Sequence, residues 1–262
     1  MRSITITING IECACRAGDF VKEVALAHGI AIPSLCHHSA LPGQACCRLC
    51  IVEAGKPGKG KSVVTSCVFP AEAGLEVETD TEKIRRLRTN ILELLLDRAP
   101  LGGGALAGFA SEYGVTDPYT PEHPDEKCIL CGLCVKACEK LGNSAISTMM
   151  RGIEKKVGTA RDLPAEDCIG CAACAKVCPT GKIACTEAGG VRTIWEQEFA
   201  LLPCPVCGKP HITGREYDWL KARFGADGDA GGTPFDAFDP RICPECRRRT
   251  SSAHAGTLPA SP

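Results

Sequence analysis

Cys128-Ile-Leu-Cys131-Gly-Leu-Cys134-Val-Lys-Ala-Cys138 recurs forty residues later as Cys168-Ile-Gly-Cys171-Ala-Ala-Cys174-Ala-Lys-Val-Cys178-Pro179. Both runs follow a C-x2-C-x2-C-x3-C spacing, and the likeness extends to Lys136 and Lys176. Three thiolates at this spacing fit one corner of an iron–sulfur cubane, and the fourth reaches the other cluster. One [4Fe–4S] cluster is thus assigned Cys128, Cys131, Cys134 and Cys178, and a second Cys168, Cys171, Cys174 and Cys138. The small residues Gly132, Gly170, Ala172 and Ala173 let backbone N–H groups approach the sulfurs. A pair of zinc sites is the competing reading, but eight interlocked thiolates suit cubanes better than closed tetrahedral knuckles.

Two further sets flank the repeat. Cys36-x10-Cys47-x2-Cys50-x16-Cys67 has one early ligand, a close pair and one ligand from a returning strand. It is read as a [2Fe–2S] site, with a zinc knuckle as the alternative. Cys46 leaves the register ambiguous, and Cys47 is chosen because its C-x2-C spacing to Cys50 puts both thiolates on one loop. Cys204-Pro-Val-Cys207-Gly208 and Cys243-Pro-Glu-Cys246 resemble zinc-ribbon knuckles. Four thiolates and no open position suit structural zinc, with an Fe–S cluster as the alternative and His211 as a surface residue. Cys13, Cys15, Cys46 and Cys185 are read as buried small hydrophobes. His37, His38 and His123 are read as structural, and Arg247, Arg248 and Arg249 as a solvated run.

Twenty cysteines in 262 residues is unusual, and location decides what they mean. The N-terminus reads as an alternating strand rather than an export signal. The densest apolar run, at 91–96, is short and interrupted by Glu93. A cytoplasmic protein without a transmembrane segment is expected, its thiols reduced and available to metals. A net charge of −1 gives no reason to expect nucleic acid or an anionic membrane as partner. Gly102-Gly103-Gly104 lacks the dinucleotide-binding pattern.

The expected fold is α+β in five parts. Residues 1–80 form a β-grasp-like [2Fe–2S] ferredoxin domain, with a hairpin over 3–11 around Asn9-Gly10. A helix over 19–29 follows, with Asp19 as N-cap and Gly29 as its stop. Residues 81–124 are a helical connector. Its first helix carries Ile84, Leu87, Ile91, Leu94 and Leu95 on one face. Residues 125–190 form the two-[4Fe–4S] ferredoxin domain, 191–250 a zinc-ribbon-like module and 251–262 a disordered tail.

PSLCHH…CCRLCIVE…SCVFP resembles the [2Fe–2S] domain heading the large Fe–S subunit of respiratory complex I. The same domain heads the Fe–S subunits of NAD-linked hydrogenases and formate dehydrogenases. CILCGLCVKACE…CIGCAACAKVCPTGKI is similar to the two-cubane segment of the hydrogenase and formate dehydrogenase branch, and Glu139 after Cys138 agrees with it. The resemblance covers about residues 1–190. Much of the family has, after the connecting helix, a further cluster module whose ligands are one histidine and three cysteines. Here only LGGGA separates the stretches similar to its entry and exit, which implies a trimmed module and three clusters instead of four. The C-terminal module resembles metal-binding tails of some hydrogenase-linked ferredoxin subunits. No flavin, nucleotide or substrate motif is present. The resemblance implies a non-catalytic electron-transfer subunit in a hetero-oligomer. Its partners would be an NAD(P)H-oxidising flavoprotein and a hydrogenase or formate dehydrogenase catalytic subunit. A zinc-scaffold interaction protein without redox clusters is the competing class.

Overall fold

The computed structural model describes residues 2–100, 102–115, 124–224 and 239–255, leaving aside the side chains of 250–255. They fall into two compact units. One comprises Met1–Gly158 with Ala173–Lys182, the other Thr159–Ala172 with Ile183–Pro262.

The first unit begins with β1 (Ser3–Ile8) and β2 (Ile11–Arg16), joined at Asn9-Gly10. Both turn residues have positive φ, 51° and 80°, as a two-residue hairpin turn requires. Ile4, Ile6 and Ile8 are buried while Ser3 and Thr5 face solvent, the period-two alternation of a half-buried strand. Helix α1 (Val21–Ala27) buries Val21, Val24 and Ala25 on one face. β3 (Ile51–Gly55), β4 (Ser62–Thr65) and β5 (Glu76–Glu78) complete a five-stranded sheet of order β2-β1-β5-β3-β4. β1 and β5 run parallel; the other pairs are antiparallel.

Helix α2 (Glu82–Arg98) starts at Thr81, whose Oγ1 accepts the Ile84 N–H at 3.2 Å. α3 (Gly104–Glu112) follows after a short connection held to the Pro179-Thr180 segment. There the Gly103 N–H donates to Thr180 O at 3.2 Å and the Ala105 N–H to Pro179 O at 3.0 Å. α4 (Leu133–Leu141) packs against α5 (Ala173–Lys176), and β6 (Ser147–Met149) pairs with β7 (Lys156–Gly158).

In the second unit, β8 (Cys185–Ala188), β9 (Val191–Ile194), β10 (Gln197–Pro203) and β11 (Pro210–Thr213) form an antiparallel sheet of order β11-β10-β9-β8. α6 (Gly214–Phe224) packs on β10 and β11, and α7 (Pro244–Ala255) follows.

Several local expectations differ from what is observed. Asp19 does not cap α1. The helix starts at Phe20 without a side-chain cap, and Asp19 Oδ2 instead accepts the Arg16 N–H at 2.9 Å. On α2 the buried stripe is Ile84, Arg88 and Leu92, whereas Leu94 is 64% exposed. The polar partners of Arg88, described below, explain why an arginine takes a core position. Helix α7 continues to Ala255, into the segment expected to be disordered. Residues 256–262, and His123 in the connector, lie outside the described residues.

Candidate metal-cluster sites

The segment Cys36–Cys50 enters β3, and Cys67 follows β4, so the hairpin β3–β4 returns Cys67 towards Cys50. Ser66 fixes this return: its N–H and its Oγ both donate to Cys50 O, at 3.1 and 2.7 Å. Cys36, Cys47, Cys50 and Cys67 are all at most 3% exposed. The Leu35 N–H donates to Cys47 Sγ and the Cys47 N–H to Cys36 Sγ, both at 3.3 Å. Contact with Cys47, then burial, pushes Cys36 up; contact with Cys50, then burial, does the same to Cys67. The same contacts, against burial and with help from backbone N–H donors, bring Cys47 and Cys50 down to about 6. Buried thiols this close resist full ionisation without a cation among them, and a metal centre held there would supply that charge.

In the first repeat, Leu130 (φ 54°) and Gly132 (φ 74°) flank Cys131 in the left-handed region. Gly170 (φ 68°) and Ala172 (φ 59°) flank Cys171 in the same way. Each middle cysteine thus sits between two reversed residues, which curls the loop tightly and suits the glycines Gly132 and Gly170, while Leu130 and Ala172 take the same conformation. The Leu130 N–H donates to Cys128 Sγ at 3.4 Å. Burial pushes Cys131 and Cys134 up to about 12, and Cys178 lies within electrostatic reach of Cys128 and Cys131. Cys138 and Cys174 belong to the first unit, Cys168 and Cys171 to the second. Cys138 Sγ accepts the Ala145 N–H at 3.2 Å.

Cys204, Cys207, Cys243 and Cys246 have sulfurs within 4.8 Å of one another. Among the described residues, no other group of three or more His, Cys or acidic ligands is drawn that close. That spacing suits a single tetrahedral ion, whereas the wider thiol sets leave room for cages of several metal atoms. Burial raises Cys204, but N–H groups of Cys243, Cys207 and Val206 outweigh it and bring it to about 6. For Cys207, the Lys209 N–H is outweighed by contact with Cys246, by burial, and by contacts with Cys204 and Cys243, giving about 11. His211 Nε2 meets Arg241 O at 2.7 Å and does not join the four sulfurs.

Of the remaining cysteines, Cys13 is fully buried, Cys15 and Cys185 are half-buried, and Cys46 is exposed, contrary to the expectation for it. Burial raises the Cys13 thiol.

Three buried cations near these loops carried no sequence signal. Arg88, 1% exposed, donates to Leu49 O at 2.9 Å and Ile51 O at 2.8 Å, bracketing Cys50, and to Tyr113 Oη at 3.1 Å. Lys22, 9% exposed, donates its N–H to Ser66 O at 3.0 Å and its Nζ to Ile32 O at 2.5 Å. Arg192 serves the second unit. Each satisfies backbone carbonyls distant in sequence, which local periodicity does not reveal.

Comparisons with known proteins agree with this arrangement. Residues 1–82 match a family described as a 2Fe-2S iron-sulfur cluster binding domain, and 127–182 a 4Fe-4S dicluster domain. A solved chain of an NAD+-reducing [NiFe]-hydrogenase in its H2-reduced state superposes with a TM-score of 0.60 at 30% identity. That match covers 83% of this chain and 96% of the other. The NADPH-Fe(3+) oxidoreductase subunit alpha of Geobacter sulfurreducens is 28% identical over 228 residues, 78% of this chain and 26% of its own length. The 78 kDa subunit of mitochondrial NADH-ubiquinone oxidoreductase from Candida albicans is 31% identical over 101 residues, 38% of this chain and 14% of its own. The chain thus spans about a quarter or less of the length of these two curated relatives, and nearly all of the solved hydrogenase chain. No helix among the described residues is long and apolar enough to cross a membrane.

Proposed function

Because the chain belongs to the family of iron–sulfur electron-transfer subunits of NAD-linked oxidoreductase complexes, we propose that it relays electrons through one [2Fe–2S] and two [4Fe–4S] clusters. The donor would be an NAD(P)H-oxidising flavoprotein and the acceptor a separate hydrogenase or formate dehydrogenase type catalytic subunit, or the reverse. In this reading the clusters carry single electrons, and the polypeptide holds them, tunes them and keeps water away. Cys36, Cys47, Cys50 and Cys67 would hold the [2Fe–2S] cluster. Cys128, Cys131, Cys134 and Cys178 would hold one cubane, and Cys138, Cys168, Cys171 and Cys174 the other. The Cys204, Cys207, Cys243 and Cys246 site would hold structural zinc.

One observation carries the relay. Cys36 and Cys47 share a single buried apolar cluster with Cys131, which also includes Leu35, Leu49, Leu92, Ile129 and Leu133. The path from the [2Fe–2S] site to the first cubane would therefore be short and dry. Cys50 and Cys67 belong to the apolar cluster on the other side, under the five-stranded sheet. The [2Fe–2S] site would lie on the seam between domain core and relay. Thiolate ligation also favours a reducing, cytoplasmic compartment.

The test is reconstitution. The native complex is isolated anaerobically, its subunits are identified by mass spectrometry, and NADH or NADPH is added while paramagnetic signals are followed. Reduction of this chain's clusters only with the flavoprotein present supports the proposal. A chain that co-purifies with no redox partner and stays oxidised refutes it.

A further inference from the structure

The loop bearing Cys168 and Cys171 is held from outside, by side chains of the sheet that ends in the four-cysteine site and of helix α6, which follows that sheet. Gln197 Nε2 donates to Ala165 O at 3.1 Å. Arg215 Nη1 donates to Glu166 O at 3.2 Å and to Cys168 O at 3.1 Å. Thr213 Oγ1 donates to Ile169 O at 2.5 Å, and Arg192 Nη1 to Gly170 O at 2.7 Å. Five carbonyls of this short loop are thus taken by donors from β9, β10, β11 and α6. The Phe199 ring closes the same face: a β-carbon on Gly170 would stand 2.7 Å from it, and the Arg215 guanidinium lies 5.6 Å from its centroid.

These side chains take their positions from strands pinned at the four-cysteine site. β10 runs from Gln197 and Phe199 directly into Cys204, and β11 begins three residues after Cys207. The Cys204 N–H donates to Lys209 O at 2.9 Å, and the Cys243 N–H to Cys204 Sγ at 3.3 Å. His211 Nε2 ties β11 to Arg241 O, two residues before Cys243. Arg192, 5% exposed, bonds His211 O at 2.8 Å and also pairs with Glu187 and Glu216. From the four sulfurs to the carbonyls of the Cys168–Cys171 loop, the connection is continuous. Apart from those sulfurs, the described part of the knuckles offers only Ile242 as apolar packing, so a bound ion would supply much of their order.

We infer that the Cys204–Cys207–Cys243–Cys246 site is a clasp for the Cys168–Cys171 loop, so that the second cubane assembles only when the clasp holds its metal. This rests on the cluster assignment above. It gives the C-terminal module a role: Arg192, Thr213, Arg215 and Gln197 are positioning residues for two cubane ligands.

The test uses the full chain, loaded with iron and sulfide anaerobically, as wild type, Cys207→Ser, Arg215→Leu and Arg215→Lys. Metal content and paramagnetic spectra are the readouts. Cys207→Ser is expected to lose zinc and one of two cubane signals, with roughly four of ten iron atoms, and to keep the [2Fe–2S] signal. Arg215→Leu leaves zinc in place and is expected to alter the line shape or midpoint of one cubane, with Arg215→Lys restoring it in part. Both cubane signals at full intensity in zinc-free Cys207→Ser overturn the inference, as does an Arg215→Leu protein with unchanged cubane spectra. Absence of any cubane signal from the wild type would instead refute the cluster assignment itself.

Discussion

Gln44 fills the space beside Gly132: its Oε1 lies 2.7 Å from where a β-carbon on Gly132 would stand. The Gln44 Nε2 is buried and has no hydrogen-bond partner among the described residues. Gln44 belongs to the loop proposed to hold the [2Fe–2S] cluster and Gly132 to the loop proposed for the first cubane, and the two loops meet at this pair. A buried donor without an acceptor is costly, and the sulfur of a cluster held by the Cys131 loop is a suitable acceptor. Gln44→Leu is therefore expected to lower the midpoint potential of one cubane, because a lost N–H···S bond destabilises the reduced form. Redox titration monitored by electron paramagnetic resonance checks this, and an unchanged midpoint contradicts it.

Gly132→Ala meets two obstacles at once, the φ of 74° and the Gln44 side chain. The conformational part alone costs about 1 kcal/mol. A total loss of roughly 1–3 kcal/mol is expected, seen as a lower melting temperature of the loaded protein. Gln44→Ala in the same chain should recover the steric part.

Arg88 is a buried cation whose partners are two carbonyls, a tyrosine hydroxyl and, at 3.7 Å, Asp80. Arg88→Met keeps the bulk and removes the donors, leaving Leu49 O and Ile51 O without them. The expected destabilisation is about 3 kcal/mol or more. Because those carbonyls bracket Cys50, the [2Fe–2S] signal should be lost on mild heating before the cubane signals. Simultaneous loss of all signals would contradict this.

Lys22 lies in the first turn of α1, bonded to Ser66 beside Cys67. Burial lowers its pKa, while the nearby Cys50, Cys67 and Cys47 thiolates raise it. A cluster held by these thiolates would put further negative charge beside the amine and favour its protonated form. A buried positive charge favours the added electron, so Lys22→Met should lower the [2Fe–2S] midpoint while Lys22→Arg largely preserves it. The same redox titration reads this out.

Zinc binding at the C-terminal site should depend on pH in a defined direction. Cys207, pushed up to about 11, holds its proton at neutral pH, whereas Cys204, brought to about 6, has mostly lost it. Metal must displace the Cys207 proton, so affinity should rise at least about tenfold per pH unit between roughly pH 7 and 8. Below about pH 6, Cys204 also takes up a proton and the slope should steepen. Chelator competition across this range measures it, and a flat profile contradicts it.

The parts of the fold set by local chemistry are legible in the sequence itself. The alternation of Ile4, Ile6 and Ile8, the Asn9-Gly10 turn and the short cysteine spacings each act over a few residues. What local patterns hid were interactions over long separations. Arg88 reaches carbonyls 37 and 39 residues away, and Arg192 reaches Gly170 across 22. On α2 this turned the buried stripe towards Arg88 and left Leu94 in solvent, which leucine periodicity alone does not show. Adjacent Cys46 and Cys47 differ likewise: Cys46 is exposed, whereas Cys47 is 3% exposed and accepts the Leu35 N–H.

That these thiolates hold iron–sulfur cages conducting between other subunits is tested most directly by anaerobic iron and acid-labile sulfide analysis, combined with paramagnetic resonance of the stepwise reduced chain. About ten iron and ten sulfide per chain are expected, with one [2Fe–2S] and two [4Fe–4S] signals. A colourless protein holding only zinc and no labile sulfide would contradict it.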